Sequence, residues 1–341
     1  MEENGVNRQQ LSEMRWPVIR VEDYLRKLGP IKGVNFVPSY CYGYIEIWHH
    51  YREDYILREL DYAVRIGINS MRIFVLCAQW QTHRDIVYAN LDRFLDACKA
   101  RGISIMLCLQ TGTVIPDGYI QKGEDPIIIN FHPGCHDRSW TFDGMQMDRN
   151  NEYNQISLDF VHDIVTRYGQ DDRVAIWDLY NEPHSYHRDL VAAIFETARS
   201  INPIQPLTAC WEALELSDVV SFHCYRDPKK DEPIFPIPNN GKTFSQELEE
   251  ALSMGRPVLC TECLARTVGN ELFDFLPIYQ KNKIGFYVWG LCEGSAGYRY
   301  PWGWPEGSPE PKRWFHSLLY PDGTPYDERE IPLIKAYHYT I

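Results

Sequence analysis

Eight short apolar, β-rich runs, each followed by a polar or amphipathic stretch, constrain this chain more than any other feature. The runs are IKGVNFV (31–37), SMRIFVL (70–76), ISIMLCL (103–109), VAIWDLY (174–180), PLTAC (206–210), VVSFH (219–223), PVLCT (257–261) and IGFYVWG (284–290). Between them, residues 54–67, 88–102, 155–169, 188–201, 244–255 and 272–282 place apolar side chains at helical spacing, and several end on Gly after a basic last turn. Strand and helix in strict alternation predict a parallel sheet, and eight such units close a (β/α)8 TIM barrel. The 341 residues exceed the roughly 250 a bare barrel needs, which leaves room for elaborated loops. The fifth connection, around WEALELSD, is too short for a full helix and is expected to be a turn. Long inserts follow strand three (111–150), strand six (226–242) and strand eight (293–311), and barrel topology gathers all three on the catalytic face. The expected organisation is a polar tail over 1–15 and a single barrel domain over 16–341.

The formal charge of -13 offers no basic face for phosphates, so neither nucleic acid nor an anionic membrane surface is an expected partner. Neutral substrates fit better. Ten Trp and twenty-two Tyr suit stacking against sugar faces, although packing between barrel and helices uses most such rings in any fold of this kind. The opening MEENGVNRQQLSEMRW lacks a basic region followed by an apolar run, and no stretch of about eighteen apolar residues occurs. Most of the ten cysteines lie in apolar strand-like runs, as Cys77, Cys108, Cys210 and Cys224 do, and read as buried free thiols. These features lead to the expectation of a cytoplasmic enzyme.

Chemistry concentrates at two strand ends. The run Trp177-Asp178-Leu179-Tyr180-Asn181-Glu182-Pro183 is an apolar strand that stops abruptly at Asn, Glu and Pro, and PVLCTEC brings Glu262 to the end of strand seven. A carboxylate at a barrel mouth is costly to desolvate unless it has partners or work there. Carboxylates after strands four and seven can face one another, as glycoside cleavage requires when one protonates the leaving oxygen and the other attacks the anomeric carbon at about 5–5.5 Å separation.

With these motifs the chain resembles the clan A glycoside hydrolases, which include cellulase-like family 5 and the barrel domain of β-galactosidase-like family 2. More narrowly, GVNFVPS, WDLYNEP, INPIQPLT, VVSFHCY, RPVLCTECLAR and WFHSLLYPDGTPYD look like a bacterial group labelled as cellulase-like or xylanase-like hydrolases. The resemblance implies a retaining β-glycoside hydrolase that takes a carbohydrate substrate and uses neither cofactor nor metal. Glu182 would be the acid/base and Glu262 the nucleophile. Asn181 would bind the sugar 2-hydroxyl, and Arg72 matches the clan arginine beside the nucleophile. A cation there is expected to lower the pKa of Glu262, while Glu182 needs a raised one. His223 and Tyr225 match positions that orient the nucleophile and line the sugar site, and Trp289 matches the ring that floors it. Glu46 and Trp48 after strand one, and Gln79 and Trp80 after strand two, are further sugar-contact candidates.

Each assignment competes with a structural one: a buried ion pair for Arg72, core packing for Trp289, a closed polar network for His223 and Tyr225. Cys260 and Cys263 form a CxxC, but residues three apart on a regular strand point to opposite faces, so the pair cannot bridge unless the chain turns at Glu262. His132, Cys135, His136 and Asp137 have spacing compatible with zinc, although loop histidines more often form ordinary hydrogen bonds. No Gly-x-Ser-x-Gly elbow, phosphate loop or dinucleotide fingerprint occurs. The alternatives are a carbohydrate-binding barrel without catalysis, a transglycosidase sharing the covalent intermediate, and a metal-dependent barrel enzyme using His223 with the two glutamates. Loops walling the site favour short oligosaccharides or a terminal sugar over an open polymer cleft.

Overall fold

The computed structural model describes residues 7–43, 46–110, 151–232, 241–302, 304 and 308–341. Its strands are β1 (Lys32–Asn35), β2 (Ser70–Phe74), β3 (Ser104–Cys108), β4 (Val174–Asp178), β5 (Leu207–Thr208), β6 (Val220–His223), β7 (Val258–Cys263) and β8 (Gly285–Trp289). Each falls within or overlaps one of the eight apolar runs. Helices α1 (Arg8–Glu13) and α2 (Val18–Leu28) precede the barrel, and α3 (Glu46–His49) lies in the first βα loop. Outside the strands run α4 (Glu53–Ile66), α5 (Cys77–Lys99), α6 (Asn151–Tyr168), α7 (Arg188–Ser200), α8 (Phe244–Ser253), α9 (Leu272–Lys281) and α10 (Glu330–Ala336). As expected, the fifth connection is only a 3-10 turn, Trp211–Leu216. Together the strands and alternating helices form a nearly closed (β/α)8 barrel. Among the described residues no helix is long and apolar enough to cross a membrane.

All strand pairs are parallel, in the order β5-β4-β3-β2-β1-β8-β7-β6. No backbone ladder joins β5 to β6; side chains and a single backbone bond stitch that seam. The Asp218 N–H donates to the Leu207 carbonyl at 2.8 Å, the Leu207 N–H donates to Asp218 Oδ2 at 2.9 Å, and Thr208 Oγ1 reaches Ser221 Oγ at 2.9 Å. Asp218 also accepts from the Trp16 N–H at 2.8 Å and from Arg199 at 3.1 Å, so one buried carboxylate ties the N-terminal segment to the open side of the barrel. Replacing it by alanine strands two backbone donors and a guanidinium in the interior. Asp218→Ala is expected to cost about 3–5 kcal/mol, the scale of a broken buried ion pair, while leaving kcat/KM unchanged below the unfolding transition. Calorimetry together with a rate assay checks both halves.

The barrel floor is filled by Met106, Ile176, Leu259 and Tyr287 from the strands, packed against Trp16, Val21 and Leu25 of the N-terminal segment and α2. The Tyr287 ring occupies the place where a Cβ on Gly33 would sit, and its hydroxyl meets Ser70 Oγ at 2.8 Å. Within the stretch expected as a polar tail, α1 buries Leu11, and Arg8 pairs with Glu215. Every cysteine among the described residues is free.

Candidate active site

Register places an inward-facing polar layer near the top of the barrel. Asn35 pairs with both Arg72 and Trp289, so these three side chains point the same way. Arg72 is fully buried, and its guanidinium donates to Asp178 Oδ2 (2.8 Å), Asn35 Oδ1 (2.7 Å), Glu262 Oε1 (2.9 Å) and Asn181 Oδ1 (2.7 Å), with Cys108 Sγ at 3.5 Å. Two carboxylates balance one guanidinium there, which makes a buried charge tolerable. Because Arg72 holds the oxygen of the Asn181 amide, the amide nitrogen is left as a donor toward the mouth.

Glu262 owes its aim to a local irregularity. In β7, Cys260 pairs with Phe286 and Cys263 with Val288, three steps against two, and the pairing with β6 shifts at the same level. Such a bulge re-aims side chains. Thr261 and Glu262 share the inner turn, and Cys260 and Cys263 both lie outside. The condition set for the CxxC is therefore met, because the chain does turn at Glu262, yet each thiol donates to a backbone carbonyl, Cys260 to Glu262 at 3.2 Å and Cys263 to Tyr287 at 3.4 Å. Cys260 Sγ also meets Tyr279 Oη at 3.3 Å, and burial pushes the Cys263 thiol well up, so this is an inert pair.

Glu182 follows β4 with φ +50, a left-handed conformation that costs a non-glycine residue on the order of 1 kcal/mol. Its backbone N–H donates to Cys210 Sγ at 3.3 Å, and its Oε1 lies 2.8 Å from His223 Nδ1. Carboxylate oxygens of Glu182 and Glu262 and a nitrogen of His223 all fall within 4.8 Å of one another. Glu262 Oε2 accepts from Tyr225 Oη at 2.7 Å and lies 3.5 Å from His223.

The two carboxyls have unequal surroundings. Glu262 is nearly covered and takes hydrogen bonds from a guanidinium and a phenol. The Glu182 side chain keeps 36% of its surface open, yet the protein around this recess still raises its pKa to about 7 by burial, against the pull of Arg72 and His184. Burial also raises Glu262, opposed by His223, Arg72 and Tyr225. This corrects the expectation that the cation would bring it below the ordinary glutamate range: desolvation, joined by the neighbouring Glu182 charge, outweighs Arg72. His223 is lowered by burial to about 4 and is neutral at pH 7. Its Nε2 is buried with no partner, so the ring proton belongs on Nδ1, which donates to Glu182. The same Glu182, His223 and Glu262 atoms could ligate a divalent ion, but a guanidinium 2.9 Å from Glu262 opposes a second cation there.

Of the sequence candidates, Glu182, Glu262, Arg72, Asn181, His223 and Tyr225 come together directly, and Trp289 lies in the same inward layer, 6.2 Å from Phe74 by ring centroid. The first two loops do not deliver theirs. Trp48 is wholly buried, its Nε1 donating to the Phe74 carbonyl at 2.7 Å, and a side chain with no free surface has none to offer a sugar. Trp80 packs on Phe160 of α6 and donates to Asp163 at 2.6 Å, between two outer helices. Glu46 turns back to accept the Tyr42 N–H, and Gln79 is buried in the first turn of α5. His132, Cys135, His136 and Asp137 lie outside the described residues. Sequence reasoning missed Asn35 and Asp178, both partners of Arg72. Asp178 had a usable signal, since it and Arg72 are ionisable residues inside apolar strands, which implies mutual neutralisation.

An eight-stranded barrel with two facing carboxylates at the ends of strands four and seven defines a glycosidase. A family model described as cellulase (glycosyl hydrolase family 5) matches residues 45–295, well over half of the sequence. The chain belongs to that family. None of the curated proteins matches it. Among solved structures it is similar to a protein titled simply a glycoside hydrolase (18% identity, 91% of this chain and 99% of that one, TM-score 0.57). It is also similar to the exo-beta-1,4-mannosidase Op5Man5 from Opitutaceae bacterium strain TAV5 (17%, 90% and 59%, TM-score 0.59) and to the endo-beta-1,4-mannanase from Thermotoga petrophila (14%, 91% and 76%, TM-score 0.57). At such identities the likeness speaks to the fold.

Proposed function

We propose that this glycosidase cleaves β-linked oligosaccharides or glycosides with retention, Glu182 serving as acid/base and Glu262 as nucleophile. The observation that carries this reading is the close approach of the two carboxyls, within 4.8 Å by their nearer oxygens. Retaining enzymes need about 5–5.5 Å between the groups, whereas inverting enzymes leave roughly 6.5–9.5 Å for a water. In the first step the Glu182 proton passes to the glycosidic oxygen, an oxygen of Glu262 bonds to the anomeric carbon, and the carbon–leaving-group bond breaks. In the second, Glu182 takes a proton from water, whose oxygen displaces Glu262 from the same carbon. The Asn181 amide nitrogen meets the 2-hydroxyl, and Trp289 offers its face to the sugar ring. The substrate is a short oligosaccharide or terminal sugar, and β-mannosides head the panel because two of the structural neighbours carry mannan-active titles.

Incubation with 2-fluoro glycosides of mannose, glucose and galactose, followed by mass spectrometry, tests the assignment. A single adduct is expected on the peptide bearing Glu262; an adduct elsewhere, or an inverted product by NMR, refutes it. The pH profile gives a second check. Glu182 must be protonated to donate, so kcat/KM on substrates with poor leaving groups falls as pH rises through about 7. The acid limb lies above the usual glutamate value because burial raises Glu262. An alkaline limb near 5 would contradict these assignments.

A further inference from the structure

The N-terminal face of the barrel gathers three arginines that the active site does not use. Arg15 lies between α1 and α2, Arg199 in the last turn of α7, and Arg256 between α8 and β7. They converge on Asp218, just ahead of β6. Arg199 donates to its Oδ1 at 3.1 Å and its Oδ2 at 3.3 Å, and Arg256 Nε donates to its backbone carbonyl at 2.8 Å. Arg256 Nη2 reaches the carbonyl of Trp16, the residue next to Arg15. Burial lowers the pKa of Arg15 and of Arg256; Arg199 lowers both further, and Arg15 acts the same way on Arg256, against the pull of Asp218. The guanidiniums are therefore close enough to repel one another.

Charge and hydrogen bonding are both unbalanced there. Three guanidiniums share one buried carboxylate, in a chain whose formal charge is -13. Glu215, whose charge also reaches Arg15, is already engaged by Arg8 at 2.6 Å and Arg188 at 3.4 Å. Asp218 is committed as well, since its oxygens take the Trp16 and Leu207 N–H groups at 2.8 and 2.9 Å besides Arg199. Meanwhile Arg15 Nη1 and Arg199 Nε are buried and donate to nothing among the described residues, and the Arg199 side chain is only 6% exposed. Fastening the N-terminal segment accounts for the bonds to Asp218 and Trp16. It leaves the surplus charge and the two stranded donors unexplained, and buried charged donors without acceptors are costly. An oxyanion would supply several acceptors and more than one negative charge in a form that guanidinium forks match.

We propose that Arg15, Arg199 and Arg256 form a binding site for a multivalent tetrahedral anion of the phosphate class, on the face opposite the carboxylates, and that its occupant clamps the N-terminal segment beside the β5–β6 seam. Calorimetric titration of the whole enzyme with inorganic phosphate, and separately with sulfate, is expected to show a single site. At fixed ionic strength the unfolding temperature should rise by about 2 °C once the ion stands at ten times its Kd. Sodium chloride of equal ionic strength should give no such rise. Arg15→Gln, which in the fold gives up only a bond to the Ser12 carbonyl, is expected to weaken phosphate binding by about tenfold or more and to leave turnover unchanged. Arg256→Gln should weaken binding to a similar degree, and Arg15→Lys, which keeps the charge, should weaken it less. Two sources of the same chemistry are separated by glycerol 1-phosphate: binding as tight as that of the free ion supports the site as one for phosphorylated metabolites, and binding about tenfold weaker supports it as one for the free ion. An equal response to chloride, no heat with either oxyanion, or undiminished phosphate affinity in Arg15→Gln overturns the proposal.

Discussion

Glu262→Gln is expected to lower turnover on every glycoside by on the order of 10⁴-fold or more while leaving the thermal unfolding temperature nearly unchanged, as removal of a covalent nucleophile does. The amide is isosteric and can still accept from Arg72, now at 2.9 Å from the carboxylate, so the packing survives. What disappears, on the proposed assignment, is the electron pair that attacks the anomeric carbon. Glu182→Gln separates the two roles. Its loss should be severe for leaving groups that need a proton and small for 2,4-dinitrophenyl glycosides in the glycosylation step, since acid catalysis matters in proportion to leaving-group basicity. Glu262→Gln spares neither substrate. Pre-steady-state rates on the two substrates decide it, and retention of even a tenth of the original turnover by Glu262→Gln would remove it as nucleophile.

The second large effect concerns the centre of the polar layer. Arg72→Met removes the guanidinium that neutralises Asp178 and Glu262 and leaves both buried, an imbalance of the kind that costs about 3–5 kcal/mol. For a domain of this size that is on the order of 10 °C in unfolding temperature. Activity should fall as well, because Asn181 loses the bond that fixes its amide and Glu262 the donor that favours its ionised form. Arg72→Met combined with Asp178→Asn deletes one of the stranded charges. It is expected to recover part of the stability and none of the activity. Equal unfolding temperatures for Arg72→Met and the unaltered protein would show that the layer is not held by this guanidinium.

The barrel was legible in the sequence because eight apolar runs at regular intervals have few other ways to be buried, and each strand lies within or overlaps the run that announced it. The two glutamates were legible for a related reason: polar residues that terminate apolar strands stand out against their surroundings. Orientation within loops was not. Trp48 and Trp80 follow strands and so seemed bound for the mouth, but the first takes a backbone carbonyl deep in the core and the second an aspartate on a neighbouring helix. The bulge in β7 was equally hidden, since a two-for-one count is a property of pairing rather than of local composition. The rise in Glu262 was misjudged because its partners could be named from motifs, whereas its depth could not.

The floor of the barrel is plugged by Tyr287 and its neighbours and backed by α2. Traffic to the carboxylates therefore comes from the rim rather than through the floor, and events there must queue. On the proposed mechanism the aglycone leaves before a second nucleophile can reach the covalent adduct from the same side, and the vacated space is open to water and to a sugar hydroxyl alike. Whether this catalyst releases free sugar or builds new linkages then depends on how long that space stays empty, a matter of residence times at the entrance rather than of the carboxyl groups themselves.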